Sequence, residues 1–177
     1  SGNSNNFTAG AGWAPTPTVD SPSNVFATVN SLQAWYPTTT SPTLSNGNTT
    51  IRTGEGASAS AGYFYFTSTL GVSSGKYYFE VKPTETTGNA LIGIVGRQPI
   101  ANAKLAEMAD GYSYQKTGNK RNNSTSTAYG ATYTDNDIIG VAVDLDNNKI
   151  YFSKNGTWQK YGDTTSGDTG NGSAFDL

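Results

Sequence analysis

Apolar and polar residues alternate with a period of two along much of this chain, the signature of strands with one covered face. Residues 76–82 set Tyr77, Phe79 and Val81 on one side and Lys76, Tyr78, Glu80 and Lys82 on the other. Residues 138–145 place Ile139, Val141, Val143 and Leu145 together, and residues 149–153 return with Ile150 and Phe152 inward. Between them Asp146, Asn147 and Asn148 predict a tight turn, and Asn155-Gly156 predicts the next. Asn and Gly accept the left-handed backbone that hairpin turns demand. Shorter apolar runs predict strands at residues 25–32 and 91–95. The aromatic run Tyr63-Phe64-Tyr65-Phe66 predicts a strand buried on both faces. Asn46-Gly47 and residues 37–42, 54–62 and 71–75 read as turns and loops. Residues 101–109, with Leu105 and Met108 on one side, are the single helical candidate and are short enough to need packing to hold them. The sum is an all-β antiparallel sandwich with one short helix at most.

Composition agrees. Only 34% of the 177 residues are hydrophobic and 14% charged, while about 80 are Gly, Ser, Thr or Asn. These small polar residues flex or hydrogen-bond out of helices and favour strands joined by many turns. No apolar run is long enough for a membrane-spanning helix, so membrane insertion is not expected. The absence of His and Cys removes Ser-His-Asp and Cys-His catalysis, thiolate metal sites and disulfides. A formal net charge of −2 gives no global support to nucleic-acid binding. Residues 1–24 carry Pro15, Pro17 and Pro22, with Phe7, Trp13 and Val19 as their main apolar positions, and read as an extended arm or linker. Residues 25–177 form the sandwich domain. The chain opens on Ser-Gly without Met or a leader and reads as a processed or excised piece.

Three blocks resemble the SPRY domain family. Gly75-Lys76-Tyr77-Tyr78-Phe79-Glu80-Val81 is similar to the family's Gly-Lys-aromatic-Tyr-aromatic-Glu-Val strand, and Ile92-Gly93-Ile94 to the strand that follows. The signature hairpin is matched by Asp137 to Val141, Asp144-Leu145-Asp146 and Ile150 to Trp158. The order and spacing of the blocks agree over residues 44–158. Asn136 stands where the family usually has Gly, a change that a left-handed turn tolerates. The chain reaches Asp176-Leu177 before the family's final strands. It is therefore expected to be a fragment, or to take those strands from unseen residues or a neighbouring subunit, and an open edge is a template for pairing. The flanks, Gly167 to Phe175 among them, resemble SPRY modules of tailed-bacteriophage virion proteins.

Candidate chemistry is sparse. Asp144, Asp146, Asn147 and Asn148 lack the Gly and distal Glu of a calcium loop and read as a hairpin turn, so no metal is expected. The acidic residues Glu55, Glu80, Glu85, Glu107, Asp110, Asp135, Asp137, Asp144 and Asp146 read as turn and cap carboxylates rather than a glycosidase pair. Asn6, Asn48, Asn122, Asn123, Asn155 and Asn171 begin glycosylation sequons, which chance supplies readily in so polar a chain. Tyr112 and Tyr114, followed by Lys116, Lys120, Arg121, Asn122 and Asn123, suit a sugar ring or a peptide backbone. The alternative is tyrosines packed in the sandwich beside a solvated basic run.

The family resemblance implies ligands on one surface built by inter-strand loops. The candidate binding residues are Arg97, Gln98, Tyr112, Tyr114, Arg121 and Asn122, with Trp158 and Tyr161 at the rim or capping the core. The expectation is a non-enzymatic module without cofactor, in a virion or other extracellular assembly such as a tail fibre or head decoration. Its partners would be other copies of itself or assembly proteins. The alternatives are a receptor-binding module recognising a host surface glycan or protein through the Tyr112–Asn123 face, and a cellular adaptor binding a short peptide.

Overall fold

The computed structural model describes residues 27–35, 42–52, 64–85, 88–97, 105–159 and 173–177. The expected arm at residues 1–24, most of the loops at 37–42 and 54–62, and Tyr63, Gln98 and Tyr161 lie outside the described residues. Two strand pairs lead the chain: β1 (Val29–Trp35) with β4 (Tyr65–Ser68), and the hairpin of β2 (Thr43–Ser45) with β3 (Thr50–Arg52). The body is two antiparallel sheets. One orders β6 (Leu91–Val95), β7 (Gly111–Gln115), β8 (Asn119–Asn122) and β9 (Thr125–Ala128). The other runs β12 (Thr157–Trp158), β11 (Lys149–Lys154), β10 (Ile139–Asp144), β5 (Lys76–Val81), and β13 (Phe175–Asp176) also pairs with β11. This is the expected all-β architecture.

The two sheets close on one core. Ile139, Val141 and Val143 of β10, with Ile150 and Phe152 of β11, pack against Ile92 of β6 and Tyr114 of β7, and Tyr129 and Tyr133 fill the space between. The signature hairpin forms as its pattern predicts. Val141 lies opposite Phe152 and Val143 opposite Ile150, all on the inner face. Asn148 closes the turn at φ 54°, and Asn155 and Gly156 turn the chain again at φ 49° and 79°. Asn136 sits at φ 72°, so the residue standing in for the family's Gly does adopt the left-handed conformation.

Three local expectations are corrected. The helical candidate is, within the described residues, one 3-10 turn at Leu105–Glu107, held by the fully buried Ala106. Within the described residues the aromatic strand, β4, begins at Tyr65 and does not include Phe64; Tyr65 is buried while Phe66 is only half-buried, and among the described residues β4 pairs with β1 alone. Finally, Tyr77 and Val81 of β5 remain 44% and 37% exposed although their period matches the covered face. β5 is the last strand of its sheet among the described residues, so the inner face thins out there.

Candidate interaction surface

One end of the sandwich is built from the β6–β7 connection and the β8–β9 turn, stitched together by hydrogen bonds. The Gly96 N–H donates to the Asp110 carbonyl (2.8 Å), tying the exit of β6 to the entry of β7. Asn123 and Ser124 turn at φ 46° and 61°, and their N–H groups donate to the Met108 carbonyl (3.2 Å) and the Ala106 carbonyl (2.8 Å). The Asn122 amide donates to the carbonyls of Ala109 (2.8 Å) and Gly111 (3.0 Å). Because side chains and turn backbone satisfy each other here, the described ends of the β6–β7 connection and the β8–β9 turn brace one another as one rim.

On this rim the Arg97 side chain, 77% exposed, holds the Asp110 carboxylate through Nε at 3.0 Å. The other carboxylate oxygen, Oδ1, accepts no hydrogen bond among the described residues. Burial, and then the Asp110 charge, push the Tyr65 hydroxyl up to about 12, so it stays a neutral donor at ordinary pH. Arg97 uses one of its five N–H donors on Asp110, which leaves a fork for a carbonyl or carboxylate.

The five described candidates, Arg97, Tyr112, Tyr114, Arg121 and Asn122, do not form one face. Strand alternation divides them: Tyr114 opposes Lys120, whereas Ser113 opposes Arg121 on the reverse side. Tyr114 is fully buried and stacks on Phe152 (5.5 Å between ring centres), so the packed alternative is the one realised. Tyr112 is half-buried with its ring edge on Phe175 at 5.3 Å, and Lys120 lies 4.9 Å over that same ring. The glycan platform expected from Tyr112 and Tyr114 is thereby removed. Arg121 is half-buried on the reverse side, Asn122 braces the loops, and among the described candidates Arg97 reaches out from the rim. Sequence reasoning placed the loop from Arg97 to Asp110 on the ligand surface but did not pair Asp110 with Arg97, and it did not single out Tyr65 near the Asp110 charge. No local signal marks them, since each acquires its role from segments far away in the chain.

The acidic residues are held by turns and lysines. Asp144 accepts from the Asn147 side chain (2.8 Å) and backbone (3.1 Å) and pairs with Lys76 (2.9 Å); Asp146 accepts from the Gly75 N–H at 2.8 Å. Asp137 accepts from the Thr134 N–H (2.7 Å) and the Asn155 amide (2.7 Å) and pairs with Lys154 (3.1 Å). The Thr134 N–H first, then Asn155 and Lys154, hold the Asp137 carboxyl well below the usual range, and Asn147 and Lys76 hold Asp144 down to about 2. A depressed folded-state value means the stabilisation is complete above the ordinary carboxylate range and disappears as pH falls through the folded value. Asp137→Asn is therefore expected to lower Tm at neutral pH and to flatten its fall between about pH 4 and pH 2. Melting curves across that window check this, and an unchanged pH slope would count against it.

A model of the SPRY domain family matches residues 76–172. ATP-dependent RNA helicase DDX1 of Xenopus laevis is 36% identical over 89 residues, covering 50% of this chain and 12% of that protein. Its Drosophila melanogaster counterpart is 37% identical over 89 residues, with the same coverage. Ran-binding protein 9 of Danio rerio is 34% identical over 86 residues, 46% of this chain and 14% of that protein. This chain thus spans about an eighth of the length of these curated relatives. The crystal structure of the SPRY domain of human HERC1 superposes with a TM-score of 0.59 at 22% identity, covering 82% of this chain and 84% of that one, a likeness of fold. With the signature hairpin, the two-sheet core and more than half of the chain matched, the chain belongs to the SPRY domain family.

Proposed function

We propose that this chain is a non-enzymatic protein-interaction module that grips a segment of a partner protein at the rim around Arg97 and Asp110. SPRY domains generally serve as interaction modules rather than enzymes. The observation that carries the reading is the rim itself. Cross-braced loop ends hold the exposed Arg97 guanidinium in place against the Asp110 carboxylate, with its remaining N–H donors turned to solvent. Such a fork recognises the carbonyls and carboxylates of an extended peptide. A preformed rim also spares the ordering entropy that a loose loop loses on binding.

Selection of random displayed peptides on the purified chain tests this. The enriched peptides are expected to bind Arg97→Glu about tenfold more weakly, because the fork now carries the wrong charge. Lys82→Glu, just beyond β5, is expected to bind them unchanged. Peptides indifferent to Arg97→Glu would overturn the reading.

A virion or other extracellular setting for the module draws its support from the thiol-free polar composition and the Gly/Asn-rich flanks. The curated relatives are cellular proteins, so the interaction role is what the geometry and the relatives have in common. Gene neighbourhood tests the setting, with virion structural genes expected on both sides.

A further inference from the structure

We propose a second interaction surface beyond the rim: two copies of this chain pair through the free edge of β5, strand against antiparallel strand about a two-fold axis. The hydrogen-bond phase of β5 shows which groups are on offer. The Leu145 N–H donates to the Gly75 carbonyl at 3.0 Å, next to the Asp144–Lys76 pair. In an antiparallel ladder this alternation assigns the backbone groups of Tyr77, Phe79 and Val81 to β10 and turns those of Lys76, Tyr78 and Glu80 to the other side. No strand pairs with that side among the described residues. Apolar groups of the strand itself are open there, with Tyr77, Tyr78 and Val81 all exposed.

The side chains select the occupant and the register. With Tyr78 opposite the partner's Tyr78, the edge-pointing residues of both strands meet. Lys76 then faces the partner's Glu80, and Glu80 faces the partner's Lys76, on the outer surface. Tyr77 faces the partner's Phe79, twice, on the inner surface and covers what β5 leaves open. Sliding the strands by two residues keeps the hydrogen-bond phase but sets Lys76 against the partner's Lys82. Cross-strand pairs of opposite charge stabilise a ladder and like pairs oppose it, so the strand's own charges favour the first register. Lys76, whose side chain is 61% exposed, bonds Asp144, and Glu80 accepts from the Tyr78 hydroxyl at 2.7 Å, so the cross-strand pair adds to contacts that each side chain already makes within its own copy. A two-fold pairing of this kind closes on itself, because it uses the β5 edge of both copies at once.

Sedimentation velocity on the 177-residue chain from micromolar to millimolar concentration tests the proposal without any rim ligand, so its outcome is independent of the peptide selection. A concentration-dependent dimer is expected. K76E makes both positions acidic and E80K makes both basic; each alone is expected to weaken self-association by about tenfold or more, and an equimolar mixture to form the heterodimer. E80P removes an edge-facing N–H and no bond to β10, so it is expected to abolish dimerisation with little change in Tm. Amide exchange supplies an independent reading. Protection at Lys76, Tyr78 and Glu80 is expected to rise with concentration, while that at Tyr77, Phe79 and Val81 stays constant. A monomer at every concentration, protection of Lys76, Tyr78 and Glu80 already complete in the monomer, or a dimer indifferent to E80K would each overturn the proposal.

Discussion

Tyr114→Ala is expected to destabilise the fold by about 4 kcal/mol, the range of a large aromatic deleted from a closed core. Tyr114 has no exposed surface and sits among Phe152, Tyr129 and Tyr133, with ring centres at 5.5, 5.8 and 5.4 Å. Three rings cannot collapse into the vacated space without leaving their rotamers, so most of the cavity persists. The hydroxyl donates to the Ala131 carbonyl, and truncation strands that acceptor as well. For a chain of this length the loss corresponds to a fall in Tm of roughly 10 °C. Tyr114→Phe, which keeps the ring, is expected to lose only about 1 kcal/mol. Thermal and denaturant unfolding of both variants check this. A Tyr114→Ala protein that melts like the parent but loses ligand binding would return Tyr114 to the surface role that its sequence neighbourhood suggests.

Gly93→Ala is expected to destabilise by about 3 kcal/mol or more, the upper range for an added methyl in a packed interior. A Cβ at this position would lie 1.9 Å from the Tyr112 carbonyl oxygen and 2.8 Å from the Ser113 Cα. Both atoms belong to the backbone of β7, which pairs with β6 through Gly93 and Ser113. A side chain in the way can rotate, but a paired backbone moves only by opening the ladder. The methyl therefore pushes β6 off β7 and takes Ile92 out of the core with it. Unfolding by denaturant measures the loss. A change within about 0.5 kcal/mol, ordinary for a surface substitution, would show that the two strands do not approach so closely.

The parts of the fold legible in the sequence were those set by neighbours in the chain. The β10–β11 hairpin needs only a period of two and turn residues that accept left-handed angles, and Ile139, Val141, Val143, Asn148, Asn155 and Gly156 provide both. Asn136 was legible for the same reason. Tyr129 and Tyr133 were missed because they lie in irregular connections without a period, yet both are buried in the core. Tyr133 is held there by the distant Ala90 carbonyl, 2.9 Å from its hydroxyl.

The candidate site was less legible, for a related reason. Tyr112, Tyr114, Arg121 and Asn122 are close in sequence, but a strand sends successive side chains to opposite faces, and pairing across the β7–β8 turn decides which residues share one. The register puts Tyr114 with Lys120 and Arg121 with Ser113, so the proposed cluster is split between the core and the reverse side. Arg97 acquires its partner from Asp110, on the far side of the β6–β7 connection.

The sequence alone determined that this chain is an antiparallel all-β domain of the SPRY type, and which residues of each strand share a face. Periodicity and turn chemistry are local properties, and they survive whatever the strands pack against. Only the tertiary structure decided what lies over each face and beyond each edge. Tyr77, Phe79 and Val81 follow the same pattern as Ile139, Val141 and Val143, yet the first set is partly exposed and the second buried. The difference is sheet order: β10 has a strand on both sides, whereas β5 has one only on the β10 side among the described residues. Which strand lies at an edge depends on contacts between segments far apart in the chain, and no local pattern encodes it.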